Sequence, residues 1–325
     1  MKLTLPTFVN AKWLIPLLEL LSEYRDKNNL TVEFGQLSRI TPVGLVALTA
    51  WLRSRQTKGL VTDCNSIINC PILSYLQRMD LLTSAGIDIG PESFQRHKSE
   101  GRFFPISHIP VDTDSLGNQI ANIVAPGGDD FDHPNAGLYD AAYYLITELA
   151  NNVRQHGLGD GYIAAQTTTV DGYVRIALAD CGVGIKGSFA DAGFSWAQEK
   201  SDLECITEAL SPRTSCKGQP SNEGVGLTLS SRVTSLMRGK MLVASGSGLV
   251  TTGEKGEVSY TGELPAEGIT GTLVTIAFKK STASDFDQHL QRAKELEDLL
   301  QPFHNSANFT PWNMKLISLK SLGLA

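Results

Sequence analysis

The sequence predicts an α/β protein built from two domains. Its 325 residues exceed the usual size of one domain, and an apolar fraction of 42% is enough for two hydrophobic cores. In residues 1–91, amphipathic helical segments alternate with short strand-like segments, which is typical of a small α/β layer. From residue 112 onward, longer helical segments accompany several strand-like segments. Residues 92–111 show no clear period and are rich in charged and turn-forming side chains, so we interpret them as a linker.

The composition excludes several classes of protein. The net charge of −6 and the isoelectric point near 5.6 argue against a nucleic-acid-binding surface. No apolar run approaches the roughly 20 residues that span a bilayer, and residues 1–10 lack a signal-peptide pattern. We therefore expect no membrane contact and a cytoplasmic location. The five cysteines are odd in number and form no close CxxC pair, which indicates reduced thiols rather than disulfides or a zinc site.

The elements of the first domain follow from apolar spacing and from turn residues. Thr41 and Pro42 mark the start of its second helix, because Thr is a common N-cap and Pro is favoured in the first turn. The predicted elements are a helix over 11–24, a strand over 30–34, a helix over 41–55, a strand over 60–62 and a helix over 72–82.

Residues 34–48, FGQLSRITPVGLVAL, resemble the STAS domains of anti-sigma-factor antagonists. In that family a strand leads through a small-residue turn into a helix that begins near a Gly-Leu pair, here Gly44 and Leu45. The family's phosphorylated serine precedes this pair, whereas this chain has Val43, which has no hydroxyl to phosphorylate. The resemblance implies a STAS-like domain over residues 1–91. We expect it to dock a protein partner or to form a homodimer, without a phosphorylation switch.

The second domain, over residues 112–280, is organised around a helix predicted for residues 138–157. Asp171 and Gly172 are a strong turn signal between two strand-like segments, which indicates a hairpin. Residues 186–223 show only a modest helical pattern at 202–210, and a connection this long is usually functional or mobile. The other predicted elements are helices over 115–124 and 227–237, strands over 161–169, 173–179, 240–244, 257–260 and 271–278, and a helix over 283–300 within a C-terminal helix and tail over 281–325.

Three polar side chains on the long predicted helix are candidates for chemistry. Glu148, Asn152 and His156 are spaced by four residues, so they lie along one face of the helix. Such a row can hold a divalent cation through oxygen ligands, and its carboxylate can accept a proton from a nucleophile. A solvated helix face has the same spacing, so these three residues alone leave both interpretations open.

Further segments are suited to a nucleotide. Asp180 ends a buried strand, where its carboxylate can accept a hydrogen bond from an exocyclic amine such as that of adenine. Gly182 and Gly184 allow the backbone to approach a ligand closely. Gly224 and Gly226 lie just ahead of a helix, whose free N–H groups and N-terminus are suited to phosphate.

Four short segments follow one another along the second domain: ELANN at 148–152, DCGVG at 180–184, GVGL at 224–227 and GT at 271–272. In order and spacing they resemble the N, G1, G2 and G3 boxes of the GHKL superfamily, the ATP-binding domains of gyrase, heat-shock chaperones, MutL and histidine kinases. The resemblance implies a Bergerat-type α/β sandwich of mixed sheet and helices that binds ATP and Mg²⁺. It implies that Asn152 binds Mg²⁺, that Glu148 activates the nucleophile and that Thr272 supports an adenine pocket at Asp180. Leu227 completes the phosphate-binding segment.

Two other nucleotide-binding patterns are rejected. Residues 182–187 fit G-x-G-x-x-G after a strand, but we expect no helix to open there and no βαβ unit to follow, so a dinucleotide fold is not predicted. A Walker A loop is absent, because Gly239 and Lys240 are followed by Met241 and lack the earlier glycine.

Three functions remain open. The first is an ATPase in which residues 186–223 form a lid and Glu148 polarises water. The second is a protein kinase of the anti-sigma type, in which Glu148 deprotonates a serine of a partner protein. The third is a nucleotide-sensing interaction protein that binds ATP with little turnover.

Overall fold

The computed structural model describes residues 1–10, 13–90, 96, 98–156, 160–168, 170–211, 226–253, 258–265 and 268–304. It is a mixed α/β structure in which a seven-stranded sheet lies between a helical layer and an N-terminal α/β layer. No helix among these residues is long and apolar enough to cross a membrane. Four cysteines of this part of the chain, Cys64, Cys70, Cys181 and Cys205, are free thiols.

The N-terminal layer contains two small parallel sheets and four helices. Its elements are β1 (Lys2–Thr4), β2 (Phe8–Val9), α1 (Leu14–Glu23), β3 (Leu30–Glu33), β4 (Arg39–Ile40), α2 (Pro42–Thr57), β5 (Thr62–Asp63), α3 (Leu73–Arg78) and α4 (Leu81–Ala85). Three strands form a parallel sheet in the order β1-β3-β5, and β2 pairs with β4. The predicted elements up to residue 62 each have a counterpart, whereas β1, β2 and β4 were not predicted because strands of two or three residues show no measurable alternation.

One predicted helix of this layer is in fact two. Residues 72–82 were predicted as a single helix, but α3 ends at Arg78 and α4 begins at Leu81. Asp80 lies between them with φ of 57°, a left-handed conformation that a continuous helix cannot contain. Arg96 binds the Asp80 carboxylate at 2.5 Å, which helps to hold this break.

The second half of the chain supplies the large sheet and its helices. Its elements are β6 (Phe103–His108), α5 (Thr113–Val124), α6 (Ala136–His156), β7 (Gly161–Thr167), β8 (Tyr173–Asp180), α7 (Gly184–Asp191), α8 (Trp196–Glu199), α9 (Asp202–Ala209), α10 (Gly226–Leu236), β9 (Lys240–Gly246), β10 (Gly248–Thr252), β11 (Val258–Glu263), β12 (Ile269–Lys279) and α11 (Phe286–His304). The hairpin of β7 and β8 around Gly172 is confirmed, and so are the predicted strands after residue 240.

The strand order of the large sheet is β11-β10-β9-β12-β8-β7-β6. Each neighbouring pair of these strands is antiparallel, so the prediction of a mixed sheet is wrong for the described strands. Strand β6 lies within residues 92–111, which were interpreted as a linker. Its alternation is hidden by Pro105 and by a register shift between Phe104 and Ser107.

Strand β8 illustrates how both faces of the sheet are covered. Val174, Ile176 and Leu178 belong to the core beneath helices α5, α6, α10 and α11. Ala177 and Ala179 point to the other face, because alternate residues of a strand face opposite ways, and they belong to the core of the N-terminal layer. Helix α2 packs on these small side chains and is buried at every residue from 42 to 52.

The N-terminal layer also caps one edge of the sheet. The Ile106 amide of β6 donates to the Met79 carbonyl at 2.9 Å, and the Ser84 hydroxyl donates to the Ile106 carbonyl at 3.3 Å. An uncovered edge strand would offer these groups to another chain. The N-terminal layer is therefore part of the same folded structure as the sheet.

Candidate functional site

Helix α6 contacts the start of α10 at the residues that the sequence analysis selected. Gly226, the first residue of α10, lies so close that a Cβ atom there would be 2.5 Å from Oε2 of Glu148 and 4.0 Å from Nδ2 of Asn152. The structure therefore brings together the polar face of α6 and the N-terminus of α10, which are separated by more than 70 residues of chain. Leu227 is half-buried and packs against the core of the helical layer.

Glu148 is suited to act as a base. It is half-buried, and burial raises the pKa of its carboxyl group above the usual value. Tyr144, one turn earlier on α6, has a hydroxyl whose pKa is raised by burial and by the negative charge of Glu148. A carboxylate with a raised pKa accepts a proton more readily at neutral pH than an exposed one.

The two neighbouring asparagines of α6 face different ways. The Thr113 hydroxyl of α5 donates to Oδ1 of Asn151 at 2.8 Å, so Asn151 is engaged towards α5. Asn152 instead lies beside Gly226. His156 ends α6, but its side chain lies outside the described residues, as does Gly224.

Asp180 is a buried acceptor at the end of β8. The Gly182 amide donates to its Oδ1 at 2.8 Å, and the amide and hydroxyl of Thr272 lie close enough to lower the pKa of the carboxyl group. Only 4% of Asp180 is exposed, and burial raises the pKa of its carboxyl group to about 6 against the lowering effect of these donors. Asp180 and Thr272 therefore lie beside each other at adjoining ends of β8 and β12.

A bulge in β12 creates this pairing. Ile269 pairs with Gly246 while Thr272 pairs with Ser245, so two extra residues are accommodated in β12. One of them is Gly271, at φ of +72°, where a Cβ would lie 2.1 Å from the Asp180 carbonyl oxygen. Only glycine tolerates both this conformation and this close approach. The glycine of the GT pair thus brings β12 against Asp180.

Ser245 of β9 belongs to the site and was not predicted. Its hydroxyl accepts from the Ile185 amide at 2.8 Å and donates to the Gly271 carbonyl at 3.2 Å. A Cβ on Gly184, at φ of +73°, would lie 2.7 Å from the same hydroxyl. Ser245 therefore connects the 180–184 segment to the β12 bulge. A single serine within a strand carries no pattern that a sequence could reveal.

The segment after Gly184 is more ordered than its sequence suggested. Helix α7 opens at Gly184, where no helix was expected, and α8 was not predicted either. Phe189, Phe194 and Trp196 pack as a small aromatic cluster, with ring centroids 4.9–5.6 Å apart. The dinucleotide fold stays excluded, because β8 pairs antiparallel with both its neighbours, whereas the first strand of a dinucleotide-binding unit pairs with a parallel neighbour.

The N-terminus of α9 is attached to the sheet. Asp202 accepts hydrogen bonds from the amide and the hydroxyl of Ser247 at 2.9 and 3.0 Å. Residues 186–211 of the predicted lid are therefore three short helices anchored beside β9 and β10. The rest of that segment, 212–225, lies outside the described residues.

Replacing Gly226 by alanine is expected to weaken ATP binding modestly, because the added methyl group would displace Glu148 Oε2, which is the free end of a flexible side chain, and no backbone atom. Isothermal titration of ATP with Mg²⁺ measures this effect. Gly35→Ala is the matched control, since a Cβ there has no atom within 4 Å. Equal ATP affinities of the two variants would contradict the position of α10 against α6 in the ATP-bound protein.

The described residues contain no group of three or more His, Cys, Asp or Glu side chains that could hold a metal ion. The metal site expected from the sequence is of another kind, because Mg²⁺ is usually held by one or two protein oxygens together with phosphates and water. Asn152 has a side-chain amide oxygen suited to that role.

No known protein-family model matches the chain, and no curated protein shows significant similarity to it.

Proposed function

We propose that this protein binds ATP with Mg²⁺ and hydrolyses it, using a nucleotide site of the GHKL type. The observation that carries the proposal is the convergence of four distant segments: Glu148 and Asn152 beside Gly226, and Asp180 beside Gly271 and Thr272. Helix α6 contacts β8, α7 and α10, so the group of residues around Gly226 adjoins the group around Asp180. This set combines an adenine acceptor, a helix N-terminus for phosphates, an oxygen ligand and a base.

Each part of the site has a distinct role in the proposal. Asp180 accepts a hydrogen bond from the adenine amine, while its other donors hold it in position. The N-terminus of α10 binds phosphate oxygens through free backbone N–H groups. Glu148 takes a proton from the attacking water. Asn152 holds Mg²⁺, which when bound supplies positive charge to the phosphates.

The domain assignment is part of the proposal. We propose a GHKL-type unit over residues 112–280, with strand β6 added to its sheet, and a STAS-like unit over residues 1–91. The large sheet with helices on one face supports the first, and parallel strands alternating with helices support the second. A protein partner of the N-terminal unit would have to use a surface other than α2, which is buried against the sheet.

Turnover of ATP labelled on its γ-phosphate tests the proposed reaction. Release of free labelled phosphate by the purified full-length chain, dependent on Mg²⁺ and on Glu148, is the expected result. Label transferred to a co-purified or added protein would favour a protein kinase instead. ATP binding with neither outcome would favour a nucleotide-sensing protein.

Asn152→Ala is expected to remove the Mg²⁺ dependence of ATP binding while Asn151→Ala keeps it. The physical reason is that only Asn152 lies beside Gly226, whereas Asn151 accepts from Thr113. ATP titrations with and without Mg²⁺ measure the difference. If Mg²⁺ still enhances ATP binding in the Asn152 variant, another residue holds the metal.

A further inference from the structure

The N-terminal layer contacts the segment that contains Asp180. The Cys181 thiol, directly after Asp180 in the chain, donates to the Ala50 carbonyl of α2 at 3.3 Å. Burial raises the pKa of this thiol to about 12, so it stays protonated and keeps its hydrogen for the bond. The end of β8 is thereby joined to the helix that lies behind the sheet.

A second connection reaches the strand that contains Thr272. The Ser22 hydroxyl at the end of α1 donates to the Pro265 carbonyl at 2.5 Å, and Arg25 donates to the Gly268 carbonyl at 3.3 Å. Gly268 directly precedes β12 and lies four residues before Thr272, and Pro265 lies seven residues before it. The N-terminal layer is therefore bonded to the residue next to Asp180 and to the segment that leads into the β12 bulge.

The end of α1 is itself held rigidly. The guanidinium of Arg55, which is 1% exposed, donates to the carbonyls of Tyr24 and Lys27 at 2.7 Å and to that of Arg25 at 3.0 Å. A buried charge with this many acceptors keeps them in one geometry, because leaving it unpaired is costly. The end of α1, which contacts the segment before β12, is therefore itself held by the hydrogen bonds from Arg55.

We propose that the N-terminal layer positions the adenine-binding pair, with Cys181 and Ser22 as positioning residues for Asp180 and Thr272. This inference rests on the proposed function, since it assigns the base-recognition side of the same site. Recognition of adenine then depends on the N-terminal layer as well as on the residues that contact the base. Loosening either connection lets Asp180 depart from its geometry with Thr272 and reduces recognition of the 6-amino group.

The test compares ATP with purine riboside triphosphate, which lacks the 6-amino group, by titration against the full chain and its variants. Cys181→Ala and Ser22→Ala are each expected to weaken ATP binding about two- to tenfold, the effect of one lost hydrogen bond. Binding of purine riboside triphosphate stays unchanged, so the preference for ATP falls by the same factor. Cys181→Ser retains a donor and is expected to restore the preference.

Matched controls separate positioning from general loss of structure. The Cys70 thiol donates to the Leu37 carbonyl at 3.7 Å, and the Ser38 hydroxyl donates to the Thr7 carbonyl at 3.0 Å. Both bonds lie within the N-terminal layer, so Cys70→Ala and Ser38→Ala are expected to leave the preference for ATP unchanged.

An unchanged preference for ATP in the Cys181 and Ser22 variants overturns the positioning role, and so does an equal loss of affinity for both triphosphates. In either case ATP binding by the wild type stands. A wild-type protein that binds neither triphosphate overturns the proposed function as well.

Discussion

Asp180→Asn is expected to abolish ATP binding without lowering the stability of the folded protein at pH 7. The carboxylate is the only acceptor that the site offers to the adenine amine in our proposal, and an amide at this position would present a donor to Thr272 or to the base. A lost charge-assisted bond together with a mismatched donor amounts to about 3 kcal/mol or more, which is over 100-fold in affinity. Titration with ATP and chemical unfolding at pH 7 measure the two effects.

The pKa of Asp180 explains why Asp180→Asn is expected to keep or gain stability at pH 7. Burial raises it from 3.8 to about 6 in the folded protein, so the folded state binds this proton more tightly than the unfolded state. The stability from the neutral form is complete below about pH 4 and is lost as pH rises through about 6. At pH 7 the ionised carboxylate therefore costs roughly 3 kcal/mol, which a neutral asparagine avoids in part.

The same pKa predicts how ATP binding depends on pH. Protonation removes the negative charge and turns one carboxylate oxygen into a donor, so ATP affinity is expected to fall as pH drops through about 6. Asp171, at the other end of β8, is the matched control, because hydrogen bonds from Arg175 and Thr168 outweigh burial and lower its pKa. Asp171→Asn should lose stability and keep ATP affinity. Wild-type ATP affinity in Asp180→Asn would contradict the adenine assignment.

Glu148→Gln is expected to keep ATP binding and to lower turnover by about 10²- to 10⁴-fold, the usual contribution of a general base. Glutamine preserves the volume beside Gly226 but cannot accept a proton. Glu148→Ala should have the same effect on turnover. Phosphate release and ATP titration, measured on the same preparations, separate chemistry from binding.

The pH profile of turnover provides a second measurement on Glu148. Burial raises its pKa and only the ionised form accepts a proton, so wild-type turnover should rise with pH through a value above that of an exposed glutamate. Asp140→Asn is the matched control, since Asp140 lies on the same helix and burial also raises its pKa. Comparable losses of turnover in both variants would show that the charge of α6, and not Glu148 as a base, matters.

The candidate site was largely predictable because its main signals are local. The spacing of Glu148 and Asn152 sets one helix face, and Asp180 with its glycines marks the end of a strand. The turn at Asp171 and Gly172 sets the register of β7 and β8. These features depend on residues a few positions apart, so they are present in any single sequence.

Other features depend on contacts between distant residues. Ser245 joins Gly184 to Gly271 across 87 positions, and helices α7 and α8 owe their packing to the small aromatic cluster beside them. Strand β6 exists because it pairs with β7, although Pro105 and a register shift obscure its own pattern. No local preference of these residues distinguishes them from ordinary loop or strand positions.

The sequence by itself determined most of the longer helices and strands, the chemical types of the site residues and their placement at element ends, because periodicity and turn chemistry act over short distances. Only the tertiary structure decided that Gly226 lies against Glu148, that Asn151 turns to Thr113, and that the N-terminal layer covers the back of the sheet at Cys181. The physical reason is that these contacts depend on how two layers pack, and packing is set by the shapes of surfaces assembled from many separate segments.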